Sequence, residues 1–250
     1  NWFSDYCKSF YLPDEEDQKN IVLKERHTHD VCANIVAIAR EQSLPENDML
    51  IAETVALFHD IGRFPQYAKF KTYNDRISIN HGKLGAEVLE KEKALDMLPP
   101  EERNLILDSV RFHNAFQLPA LKSDRTKLFL KLIRDADKLD IFGVFAEYYE
   151  ANEDERASAT ALGLPDTPEY SEEIISLIYE KKIISYYLLR TVNDFRLLQL
   201  SWVFDLNFIT TMRMMQEKNY IDKISVRLPQ TEEITSLVLF LKKFVSERLK

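Results

Sequence analysis

The chain has 250 residues, of which 45% are hydrophobic and 30% charged, with a formal net charge of −8 and a pI near 5.3. Such a length and apolar share suit a soluble globular chain with a real core, and no apolar run is long enough to span a membrane. The acidic balance argues against stable binding of nucleic acid or an anionic membrane, which needs a basic footprint, but it leaves small phosphate substrates open because bound cations can reverse a local field.

Glycine is scarce, at five residues, while straight-chain and charged residues are plentiful, so an all-α fold is expected. Cys7 and Cys32 do not make a disulfide framework, and a reduced cytoplasmic setting is the simpler account. The first residues do not read as a secretory signal, and a start at Asn1 and not at a methionine leaves room for residues upstream.

In chain order, Trp2, Phe3, Tyr6 and Phe10 recur at helical spacing and predict an apolar-faced first helix. Pro13 followed by Asp14, Glu15 and Glu16 is a helix start, with acid near the positive end of the dipole. A second helix is expected from about His27 to Gln42, with His27, Val31, Ile35, Ile38 and Gln42 inward and His29 pointing elsewhere. Pro45 to Phe58 reads as the next helix, with Leu50, Thr54, Leu57 and Phe58 inward, and it delivers His59 and Asp60 at its C-terminal end. Gly62 would provide the exit. Arg63 to Ile79 reads as an aromatic and polar loop, long enough for a lid or a pocket wall.

Asn80 is an N-cap candidate, after which His81, Leu84, Gly85 and Val88 share a face; Gly82 and Gly85 would let another backbone come close. Pro99 and Pro100 open a helix that carries Ile106, Val110 and His113 on one face. The last helix of this half has Leu130, Ile133, Asp137 and Asp140 on one stripe. Residues 152–170 read as a linker or exposed loop, and helices are expected at about Ser171–Leu189, Asn193–Lys218 and Thr231–Leu249, with no histidine among them.

All five histidines lie in the N-terminal half, and the acidic stretch Asp135-Ala-Asp137-Lys-Leu-Asp140 follows them. Imidazole and carboxylate together suit a borderline or hard divalent cation, and a helix end can aim the adjacent His59 and Asp60 at one ion. A mononuclear site would draw on His27, His59, Asp60 and an aspartate of the later acidic stretch, Asp135 or Asp137. The order His27, His59-Asp60-Ile-Gly62, His81-Gly-x-x-Gly85-Ala86, His113 and Ala136-Asp137-Lys-Leu-Asp140 resembles the HD-domain superfamily of metal-dependent phosphohydrolases in its six-ligand form. The resemblance covers roughly residues 20–145. It implies a helical metal-binding domain, placed at 1–150, and the helices that follow read as a C-terminal helical extension at 151–250 packed on the same body.

The resemblance further implies that His81 and His113 complete a second cation site and that Asp60 bridges the two ions. Two carboxylates and four neutral imidazoles leave two divalent ions with net positive charge, which attracts phosphate. Manganese, iron, cobalt or zinc suits such a set better than magnesium does. Asp135 rivals Asp137 for the metal, and the family pattern favours Asp137. Asp140 would orient a water or a ligand histidine. Arg63 either reaches a phosphate through its planar fork or is a solvated arginine at a helix exit. Lys83 and Lys138 read as surface cations.

The expected activity is hydrolysis of a phosphate mono- or diester, with a nucleotide as the expected substrate, Asp60 and Arg63 in the chemistry, and self-association left open. Rings of the 64–73 stretch would either stack on a base or pack the loop. A di-iron oxygenase of the same fold and a non-catalytic nucleotide-binding module stay open as alternatives.

Overall fold

The computed structural model describes residues 2–120, 123–150 and 163–250. Among these the regular structure is helical and no strand occurs. Two compact units divide the described chain, one ending at Asp137 and the other beginning at Lys138.

In the first unit, α1 (Trp2–Lys8) buries Phe3 and Cys7. The α2 helix (Glu15–Glu41) is one continuous element, whereas the sequence reading divided this region between a helix start at Pro13 and a helix from His27. No glycine or proline interrupts it, and the Asp14 carboxylate caps its first turn by accepting the Asp17 amide at 2.9 Å. Ile21, His27, Val31, Ile35 and Ile38 form its buried stripe, while Gln42, expected inward, is an exposed C-cap. His29 is exposed and its ring meets the edge of Phe3.

The α3 helix (Glu46–Phe58) packs on α2 and buries Phe58 as expected, but its other buried residues are Ile51, Ala52, Val55 and Ala56, not Leu50, Thr54 or Leu57. Leu50, expected inward, is 59% exposed, because this helix is apolar on most of its circumference and spacing alone does not choose a face. The expected loop after Gly62 is half helical: α4 spans Arg63–Phe70. Pro65 falls in its first turn, where a missing amide costs nothing, and Phe64 and Tyr67 are buried. Phe64 is ringed by Phe3, Tyr6 and Phe10. Tyr67 donates to Asp17 and accepts from Asn20, each at 2.9 Å. These two rings are therefore packing.

The α5 helix (His81–Lys91) starts at its Asn80 cap, which accepts the Lys83 amide. The α6 helix (Pro100–Phe112) lies against α5 and α3, with Ile106 and Val110 buried. A Cβ at Gly82 would sit 2.9 Å from the Arg111 carbonyl oxygen, so glycine lets the two backbones meet. The α7 helix (Asp124–Glu150) brings Leu130, Ile133 and Asp137 to this unit.

In the second unit, the later part of α7 is joined by α8 (Glu172–Tyr179), α9 (Val192–Ser201), α10 (Ile209–Glu217), α11 (Tyr220–Ser225) and α12 (Glu232–Arg248). Ile174, Ile178, Leu197, Leu198, Leu237 and Leu241 are buried in it. The helix expected over Asn193–Lys218 is broken by a 3₁₀ turn at Trp202–Asp205 and an extended step at Phe208. Aromatic and β-branched residues there hold a helix weakly. The first expected helix of this half stops at Tyr179, and Asn219, in the left-handed region, separates α10 from α11. Lys138, expected at the surface, is 12% exposed and pairs with Asp205 at 2.9 Å. The larger part of the expected 152–170 linker lies outside the described residues.

Candidate metal centre

Three helix ends and two helix interiors converge in the first unit. His59 follows the last residue of α3, and His113 occupies the same place after α6. At a helix C-terminus the carbonyls three and four residues back are free to accept. Each imidazole uses one: His59 Nδ1 donates to the Ala56 oxygen at 2.7 Å and His113 Nδ1 to the Val110 oxygen at 2.8 Å. Their Nε2 atoms are thereby left as lone pairs facing inward. His81 is the first residue of α5 and donates through Nδ1 to Asp75 Oδ2 at 2.7 Å, with the same result at Nε2. His27 comes from the interior of α2 and Asp137 from that of α7.

Two groups share Asp60. One comprises His27, His59 and Asp60, the other Asp60, His81 and His113, and within each the donor atoms all lie within 4.8 Å of one another. Asp60 Oδ2 is 3.5 Å from His27 Nε2 and 3.7 Å from His59 Nε2. Its Oδ1 is 3.3 Å from His81 Nε2 and 3.8 Å from His113 Nε2. Asp137 joins the first group, with Oδ1 3.2 Å from His27 Nε2 and 3.8 Å from His59 Nε2. His27, His59, Asp60, His81 and His113 are buried, and the Asp137 side chain is 18% exposed.

The electrostatics suit a cation. Burial pushes the His59 imidazole down to about 3 and that of His81 to about 4, so both are neutral near pH 7. Burial raises the Asp60 carboxyl, but the charged Lys24 and Arg63 beside it outweigh that and hold the group well below the usual range. At Asp137 burial likewise opposes ionisation and the hydrogen bond from His27 leads the effects that override it. The closest approach between two of the inward nitrogens is the most telling. His81 Nε2 and His113 Nε2 stand 3.0 Å apart, although both rings have spent their proton on Nδ1. Two lone pairs at that separation repel unless a cation lies between them. Nitrogen and carboxylate donors in two groups about one shared aspartate fit divalent ions.

Several members of this arrangement escaped the sequence reading. Lys24, one turn before His27 on α2, places Nζ 2.7 Å from Asp60 Oδ2 and is 14% exposed; its three-residue spacing from His27 was the available signal. Asp75 lies in the loop after α4 and gathers Arg63, Gln66, His81 and Asn114, with no sequence signal beyond its loop position. Arg134, buried on α7, donates to the carbonyls of His113 and Ala115 and so steadies the end of α6. Arg63 is also 14% exposed; its Nη1 donates to Gln66, the Tyr73 carbonyl and Asp75, and its Nε lies 3.4 Å from Asp60 Oδ1. Asp135 is fully buried, and Lys83 is exposed as expected.

Residues 24–141 match the family model of the HD domain. No curated protein and no solved structure matches the chain.

Proposed function

From an HD domain at residues 24–141, we propose that this chain is a metal-dependent phosphohydrolase acting on a small phosphate ester. The observation that carries the reading is the pair of opposed imidazole lone pairs at His81 and His113, with the Nε2 atoms of His27 and His59 3.2 Å apart on the other side of Asp60. In this reading His27, His59, Asp60 and Asp137 hold one divalent ion, and Asp60, His81 and His113 hold a second. Such ions, when bound, lower the pKa of water and offset negative charge on phosphoryl oxygens.

The chain's own residues have separate tasks. His59, His81 and His113 are locked by their Nδ1 hydrogen bonds, so their lone pairs need no reorganisation on loading. Asp60 offers one oxygen to each group. Lys24 holds Asp60 ionised and brings a cation beside the centre, where it can meet a phosphate oxygen. Arg63, with Nη1 committed to three acceptors, acts mainly as a positioning residue for Asp60 and Asp75. A nucleotide remains the substrate to screen first, although Phe64 and Tyr67 are packed in the core and do not serve as its stacking platform.

The test is elemental analysis of the purified protein, followed by a phosphate-release screen over nucleotides and simple phosphate esters with Mn²⁺, Co²⁺ and Mg²⁺. Turnover with a transition metal is expected, together with its loss in Asp60→Asn while the helical circular dichroism is retained. Oxygen consumption without phosphate release would shift the assignment to an oxygenase. Tight nucleotide binding with no turnover in any metal would shift it to a binding module.

A further inference from the structure

We infer that Asp75 is the positioning residue of the second cation subsite, holding His81 in the one tautomer and ring orientation that subsite can use. The inference rests on the two-ion reading above. Its physical basis is an asymmetry between helix ends. His59 and His113 follow helix C-termini, where the carbonyl three residues back accepts the Nδ1 proton at no extra cost. His81 opens α5, and a helix N-terminus presents amides, not carbonyls. No acceptor comes with that position, so the loop before α5 has to supply one.

Asp75 supplies it. Oδ2 accepts from His81 Nδ1 at 2.7 Å and from Asn114 Nδ2 at 3.0 Å, while Oδ1 accepts from Arg63 Nη1 at 3.0 Å and Gln66 Nε2 at 2.9 Å. Four donors from four separate side chains fix the plane of one carboxylate. Gln66 is itself fully buried and ties the same loop down at Ser78 and Ile79. The orientation of His81 is therefore set by a loop and not by a helix. His27, His59 and Asp137 have no hydrogen bond or ion pair with Asp75 among the described contacts, and Asp75 reaches Asp60 only indirectly, through Arg63, so a change there should act chiefly on the second subsite.

Asp75→Asn keeps the shape but puts an amide where the carboxylate met donors on both sides. Calorimetric titration of chelator-stripped protein with Mn²⁺ should show two ions per chain in the wild type. In the variant the first ion should bind unchanged and the second should bind about 10–100-fold more weakly, the usual effect of losing a ligand histidine's partner. His81→Ala provides the reference for a missing second ion. Circular dichroism checks the fold, and Asp75→Glu, which keeps the charge but displaces it, should show the same selective loss if the Asn variant does not fold. Two ions bound with wild-type affinity in the variants would overturn the inference alone, as would equal weakening of both ions, the mark of a general structural role. A wild type that takes only one ion would instead overturn the two-ion reading, and the role assigned to Asp75 with it.

Discussion

Asp60 has neighbours of opposite kinds at one oxygen. Its Oδ2 accepts from Lys24 Nζ at 2.7 Å and also faces the nitrogens of His27 and His59. An ammonium and a divalent ion would compete for that oxygen, and the ammonium is a like charge beside any ion that succeeds. Lys24→Met should therefore tighten divalent-ion binding by roughly tenfold, about 1.4 kcal/mol, while weakening the attraction for a phosphate ester. Calorimetry with Mn²⁺ measures the first effect and KM the second; weaker ion binding in the variant would show that Lys24 supports the centre and does not compete with it. The six candidate ligands were readable as residue types in sequence order. Lys24 was not singled out because lysines are common on solvated faces, and nothing in sequence tells a buried ammonium from a solvated one.

The elements place these residues by how they begin and end. Two helices end on histidine and one begins on it, and a short run of turns over residues 59–62 joins α3 to α4, which packs against α5. Gly62 has an ordinary helical φ of −68°, so it is not the left-handed exit that its position suggested. Its role is close approach: a Cβ there would lie 2.3 Å from the His81 carbonyl oxygen and 2.6 Å from the Gly85 amide nitrogen. Both obstacles are backbone and cannot swing away. Gly62→Ala should destabilise the fold by about 1–3 kcal/mol and displace His81, which is checked by thermal denaturation and by metal stoichiometry. Gly163→Ala serves as a contrast, since its added Cβ meets nothing and only the positive φ of 67° resists it. Helix starts were legible where the local signal was strong, as at the Asn80 cap and at Pro100 in a first turn. They were misread at Arg63–Phe70, where aromatic residues in a short segment looked like a loop until Phe64 and Tyr67 found a core to enter.

Over the whole molecule, two compact units share one chain, and the candidate centre belongs to the first. Its crowded carboxylates, lone-pair nitrogens and other polar groups are costly to assemble without a cation, so the fold and the ion should be thermodynamically linked. Stripping the protein with a chelator is expected to lower its melting temperature. Returning Mn²⁺ or Co²⁺ at a hundred times its dissociation constant should restore about 2.7 kcal/mol for each site that fills. Differential scanning calorimetry reads this directly, and a melting temperature indifferent to both treatments would count against ion binding at this centre.

The order of the histidines and aspartates, their placement at predicted helix ends and the near absence of strand signals were enough to expect an all-α chain and a cluster of histidines and aspartates in its first half. Those features are local, because helical period and caps are written within a few residues. The rest was decided in three dimensions. Which face of α3 is buried, that Asp60 turns one oxygen to each imidazole pair, and that a loop carboxylate steers His81 all depend on residues distant in sequence. Sequence states which donors exist; only packing settles which of them point at the same few ångströms of space.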